Sequence, residues 1–177
     1  GGDVVCGISA SGRTPFVVGA LDEASRRGAV TVLIASDGGL REGPMKPDCD
    51  HLVVIDAGPE CIAGSTRLKA GTATKMVLNM ITTASMVRWG KVYDNLMVDL
   101  VASNAKLLER ARRLVERLGE VDSEEALELL DKAEGSVKLA VLIARKGVEL
   151  SEARRLLAEH KGHLRPSLEE NTDSRIA

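Results

Sequence analysis

Aromatic residues are almost missing: one Trp, one Tyr and one Phe in 177 residues. Without them there is no platform on which unpaired bases could stack. The 24 basic and 26 acidic residues leave a formal charge of -2, so there is also no net pull toward nucleic acid or anionic lipid. No nucleic-acid or membrane partner is expected. Cysteine is sparse as well: Cys6, Cys49 and Cys61 form no C-x-x-C pair and no disulfide framework, which points to a reducing compartment. Cys49 and His51 stand two apart, but no second pair at ligand spacing follows, so no metal is expected. Runs of membrane-spanning length are lacking, and no cleavable leader is read before the first apolar run. The expected location is the cytoplasm.

What is present suits a folded chain. Hydrophobic residues make up 44% and charged residues 28%, an ordinary globular balance, and 18.8 kDa allows one α/β domain with a small appendage. Three runs rich in β-branched residues read as strands: Asp3 to Ser9, Ala29 to Ala35 and His51 to Asp56. Their nearly continuous apolar character predicts parallel strands buried on both faces, with hydrogen-bonding groups open at the outer edge. Between the first two, Thr14 to Arg27 carries apolar residues at helical spacing, with Gly28 as its stop, completing a βαβ unit.

Ser36 to Pro47 and Ala57 to Ser65 read as loops. A helix is expected from Leu68 to about Met86, with Met76, Val77 and Met80 on its core face, and another from about Met97 to Leu118. After Gly119 three short amphipathic helices follow, near Ser123 to Ala133, Ser136 to Arg145 and Ser151 to His160. Asp122 and Glu125 have the spacing of a capping box, while Gly135 and Gly147 mark the joins. The polar stretch from Pro166 to Ala177 is expected to fray.

Two segments carry chemistry. In "GISASGRTP" a strand ends at Ser9 and a helix starts near Pro15, whose fixed φ suits a first helical turn. Amides at a helix start are unpaired and partly positive, so the turn is a ready anion site. Ser9, Ser11 and Thr14 add hydroxyls, and Gly12 lets the backbone come close to a ligand; a phosphate monoester is the natural guest. The segment lacks the Gly-Lys-Ser/Thr ending of a nucleotide P-loop, and a nucleophilic serine would need a base, whereas His51, His160 and His163 lie far off in sequence. A Ser/Thr-rich helix cap without a ligand fits the same residues. The second segment, Gly58 to Lys75, leaves the third strand, where ligands collect in an open parallel sheet. Glu60 is its one acidic residue, suited to binding sugar hydroxyls or moving a proton, with a solvated loop carboxylate as the alternative. Ser65, Thr66, Arg67, Lys69, Thr72 and Lys75 supply donors, although Arg67 and Lys75 also fit an exposed helix face.

"GISASGRTPFVVGAL", "GPECIAGSTRLKAGTATKMVLNMITTASMVRWGKVYDNLMVDLVASNAKL" and "GSVKLAVLIARKGVELSEARRLL" closely resemble bacterial N-acetylmuramic acid 6-phosphate etherases of the SIS (sugar isomerase) phosphosugar-binding superfamily. More distantly, they resemble the glucokinase regulatory protein. The etherase resemblance implies an α/β fold: a doubly wound parallel-sheet SIS domain, of which three strands are visible, over residues 1–119. A small three-helix domain similar to ubiquitin-associated domains follows over 120–165, then a flexible tail over 166–177. Ser9, Ser11, Gly12 and Thr14 inherit phosphate binding; Glu60, Ser65, Thr66 and Lys69 inherit substrate binding. The implied reaction cleaves the lactyl ether of N-acetylmuramic acid 6-phosphate to N-acetylglucosamine 6-phosphate and D-lactate in cell-wall sugar recycling, without metal or organic cofactor. The family's acid and base are two glutamates of an upstream half that is not among these 177 residues, so no catalytic residue is assigned here. A homodimer is implied, since SIS-family sites are usually completed across subunits. A binding module that senses a sugar 6-phosphate without chemistry is the competing expectation.

Overall fold

A computed structural model describes residues 2–41, 48–100 and 104–169. The chain divides into two compact units, Gly1–Ile81 and Thr82–Ala177.

The first unit is built on a parallel sheet of three strands in the order β1 (Val4–Ile8), β2 (Val30–Ala35), β3 (His51–Val54). Val4 pairs with Val30 through to Ile8 with Ile34, and Val32 with His51 through to Ala35 with Val54. Helix α1 (Pro15–Arg26) connects β1 to β2 and buries Leu21 and Ala24. Its stop falls where Gly28 was expected to end it: Arg27 caps the helix and Gly28 follows in the left-handed region. Leu21, Leu33, Ala35 and Leu40 form the core of this unit. The loop expected after β2 contains a short turn of 3-10 helix at Gly38–Leu40, and residues 42–47 of that loop lie outside the described residues. Entry into β3 is fixed by Thr31, only 1% exposed, whose amide and hydroxyl both donate to Asp50 Oδ2 at 2.7 and 2.8 Å. Those two bonds hold the Asp50 carboxyl below its ordinary range.

The expectation that all three strands are buried on both faces holds only for the central one. β2 is buried along most of its length, but Val4 and Ile8 of β1 are 62% and 47% exposed. A β-branched run reports strand propensity, not what covers the strand. Helix α2 (Lys69–Arg88) departs further from expectation. Among the described residues only Ala70 is buried in it; Met76 and Met80, placed on a core face from their spacing, are exposed, and Val77 is half-buried. No charged residue occurs from Met76 to Val87, so spacing could not distinguish one apolar face from another.

The second unit contains a two-stranded antiparallel hairpin, β4 (Val92–Tyr93) and β5 (Leu96–Met97), turned by Asp94 at φ 51°. Helices α3 (Ala105–Gly119), α4 (Ser123–Lys132), α5 (Val137–Lys146), α6 (Leu150–Glu159) and α7 (Leu164–Glu169) follow. The helix expected from Met97 starts only at Ala105: Met97 is in β5, and Asn104 caps α3 by accepting from the Leu107 amide at 2.9 Å. Asp122 caps α4, accepting from the Glu124 and Glu125 amides, and Gly147 ends α5. α3 packs with α4 and α5 around Ala111, Val115, Ala126, Ala140 and Val141.

The expectation of a frayed tail needs correction over its first four residues. Pro166 to Glu169 lie in α7, where Ser167 is fully buried and its hydroxyl donates to the His163 carbonyl at 2.7 Å. Proline near the start of a helix forfeits no hydrogen bond, so Pro166 permits α7. The rest of that tail, residues 170–177, lies outside the described residues.

At the centre of this unit Lys138 is 7% exposed. Its ammonium donates to the Gly90 and Gly162 carbonyls at 3.3 and 3.1 Å and pairs with Asp99 at 2.6 Å. Burial pushes the Asp99 carboxyl upward, but hydrogen bonds and charge from Lys138 and Lys91 outweigh it and hold the group below its ordinary range.

Candidate functional site

The two loops of interest leave the same edge of the parallel sheet. Ser9 and Ala10 still follow the β2 ladder, with the Ser9 amide on the Ile34 carbonyl and the Ser36 amide on the Ala10 carbonyl. The chain then turns sharply at Gly12, which has φ +68°. A Cβ there would stand 2.3 Å from Leu40 Cδ1, so the turn is seated directly on a buried side chain. This combination of left-handed backbone and close contact requires glycine.

The hydroxyls of this turn are linked to one another. Ser9 Oγ lies 2.8 Å from Thr14 Oγ1 and 3.4 Å from Ser11 Oγ, and Ser11 Oγ accepts from the Arg13 amide. Ser9 is 5% exposed and faces inward; Ser11 and Thr14 are exposed. Thr14 occupies the N-cap of α1 without a capping hydrogen bond from its side chain. The first-turn amides of α1 therefore keep their capacity for an anion.

After β3, Asp56 Oδ1 accepts from the Gly58 amide. Glu60 then closes the start of α2: its two oxygens accept from the Lys69 and Ala70 amides at 3.0 and 3.1 Å. These two bonds, helped by the charge of Lys69, hold the Glu60 carboxyl below its ordinary range. Glu60 is thus more than a solvated loop carboxylate: in the structure it orders the start of α2. A carboxylate so held remains ionised, poorly suited to donating a proton. The Lys69 ammonium lies near Gly58, 3.8 Å from where a Cβ would project.

A hollow of about 230 Å³ opens between these loops. It brings Ser11 of the first segment together with Glu60, Ser65 and Thr66 of the second. Ser9, Gly12, Thr14 and Lys69 do not line it. Ser36 and Asp37 do, and neither was picked out from sequence. The available signal was their position: both directly follow β2, at the same sheet edge. A larger hollow, about 480 Å³, runs along α3 beside Lys106, Arg110, Arg113 and Arg117 and contains no residue of either loop.

The first unit is an α/β domain with an open parallel sheet and a hollow carrying several hydroxyls at the ends of its strands. No family model matches the chain. Curated proteins do: it is 49% identical over 168 residues to an N-acetylmuramic acid 6-phosphate etherase of Edwardsiella ictaluri, covering 95% of the chain and 55% of that protein. It is 51% identical over 168 residues to the etherase of Rubrobacter xylanophilus, covering 95% and 54%, and 48% identical over 166 residues to that of Prochlorococcus marinus, covering 94% and 53%. The chain thus spans about half the length of these relatives. Over nearly its whole length it is similar to the C-terminal portion of these N-acetylmuramic acid 6-phosphate etherases.

Proposed function

We propose that the chain forms the phosphosugar-gripping part of an N-acetylmuramic acid 6-phosphate etherase, a carbon–oxygen lyase releasing N-acetylglucosamine 6-phosphate and D-lactate. The observation that carries this is the hollow joining Ser11 to Glu60, Ser65 and Thr66, two segments far apart in sequence that share the likeness to the etherases. In this reading the turn Ser9–Thr14 and the free amides of α1 take the 6-phosphate. Ser65, Thr66 and Lys69 address the sugar, and Glu60 holds the start of α2 beside it.

Ring opening of the sugar exposes an aldehyde that acidifies the neighbouring C–H. A carboxylate removes that proton, lactate leaves from the next carbon, and water adds back. Each transfer requires a group within hydrogen-bond reach. With both oxygens on helix amides, Glu60 is a positioning group, and the acid and base are assigned to glutamates outside this chain. No metal or organic cofactor enters these steps.

The same reading makes the first unit part of a doubly wound SIS domain and α4 to α6 a module similar to ubiquitin-associated domains. It also makes the protein a cytoplasmic homodimer. The apolar, exposed α2 supports burial against further protein. Among the described residues no helix is long and apolar enough to cross a membrane. The test is lactate release: a full-length protein containing this sequence frees D-lactate from N-acetylmuramic acid 6-phosphate. An inert preparation of intact, folded protein would refute the assignment.

A further inference from the structure

The hollow between the loops has an uneven distribution of charge. Two carboxylates, Asp37 and Glu60, line it together with the hydroxyls of Ser11, Ser36, Ser65 and Thr66, and no cationic side chain does so among the described residues. Arg13, the cation of the first loop, is turned onto Asp37, with Nη2 donating to Oδ2 at 2.9 Å. Asp37 Oδ1 accepts from the Gly39 amide at 3.0 Å, so both carboxylate oxygens are fixed in place. Each still has unused acceptor capacity, because an ionised carboxylate offers about four lone-pair sites. At 47% and 36% side-chain exposure the ion pair adds little stability, but it does set the direction of the carboxylate.

Such a hollow treats the two ends of a sugar phosphate differently. A phosphoryl group entering it would meet the carboxylates of Asp37 and Glu60, with no cationic side chain lining the hollow among the described residues. A hydroxyl or amide N–H would instead gain a hydrogen bond to an ionised acceptor, the stronger kind. We infer that Asp37 is a specificity residue: it accepts a hydrogen bond from a neutral donor on the sugar and repels anionic groups from the part of the hollow that it and Glu60 line, so the phosphoryl group is left to the Ser11 turn. The inference rests on the sugar-phosphate reading above and adds to it the orientation of the ligand.

Calorimetric titration of this chain with N-acetylglucosamine 6-phosphate and with inorganic phosphate tests it, using wild type, Asp37→Ala and Asp37→Asn. Thermal melts alongside show that each variant is folded. Asp37→Ala weakens the sugar phosphate roughly tenfold, the loss of one charge-assisted hydrogen bond, and leaves inorganic phosphate equal or tighter. Asp37→Asn, which keeps an acceptor, recovers part of the sugar-phosphate affinity. Equal losses for both probes would mean that Asp37 merely orders the loop through Arg13, and would overturn the inference. Unchanged binding of the sugar phosphate in Asp37→Ala would overturn it too, while leaving the sugar-phosphate reading intact. Wild-type protein that bound neither probe would remove that reading and this inference together.

Discussion

Replacing Gly12 with alanine tests whether the turn beneath the candidate site is as tightly seated as its geometry indicates. Two penalties combine. At φ +68° an L-residue is strained, by about 1 to 2 kcal/mol. The added methyl would also stand 2.3 Å from Leu40 Cδ1, well inside the roughly 3.5 to 4.0 Å of a good carbon–carbon contact. Leu40 has no exposed surface and packs in the core with Leu21, Leu33 and Ala35, so it cannot swing into solvent. Overpacking of this kind costs about 1 to 3 kcal/mol, which brings the expected total to about 2 to 5 kcal/mol. Gly28→Ala isolates the two contributions, because Gly28 has φ +77° and nothing lies within 4 Å of the methyl that alanine would add there. It should cost only the strain, about 1 to 2 kcal/mol. Urea denaturation of both variants, followed by circular dichroism, gives the comparison. Equal destabilisation of the two would refute the claim that Leu40 dictates glycine at position 12.

Ser11→Ala should abolish calorimetric binding of N-acetylglucosamine 6-phosphate, while the wild type binds it and ignores unphosphorylated N-acetylglucosamine; retained binding would take Ser11 out of the site. Lys138→Met leaves Asp99 with Lys91 alone and two backbone carbonyls without their donor, and should cost about 3 kcal/mol in urea denaturation; a loss below about 1 kcal/mol would contradict the clamp. The Asp99 carboxyl is depressed in the folded state, so its contribution is complete above the unfolded value near 3.9 and is lost as pH falls through the lower folded value. Glu109, held at about 2 by Arg112 and Arg113, behaves in the same direction. Acid titration of stability should therefore show a decline beginning below about pH 4, shallower in Lys138→Met; a variant as acid-sensitive as wild type would contradict the role given to Asp99.

Local signals identified the right elements where short-range chemistry decides them. The β-branched runs located all three parallel strands, Asp122 and Gly147 marked real helix ends, and Thr14 to Arg27 overshot α1 by one residue at each end. Errors arose where tertiary contacts decide. Strands of two residues, such as β4 and β5, are too short for any periodicity, and with the cap at Asn104 unread the helix that follows it was extended back to Met97. α7 was missed because Glu169 and its neighbours are polar, while burial of Leu164 and Ser167 depends on packing that composition cannot report. At the site, residue type identified Ser11, Glu60, Ser65 and Thr66, which do share a hollow. It could not reveal that Ser9 faces inward, that both Glu60 oxygens are occupied by amides, or that Asp37 lines the hollow with them.

Helix α2 subjects the chain to two opposing selective pressures. Its exposed Met76, Met80, Ile81 and Val87 form a surface that favours self-association whenever nothing else covers it. Evolution in the laboratory for soluble expression of these 177 residues alone would enrich lysine or glutamate at those positions. If α2 is covered by further protein, as proposed above, screening a longer protein that contains this sequence for lactate release would purge the same substitutions. Comparing the two mutational landscapes would show which side of the helix must stay dry for function.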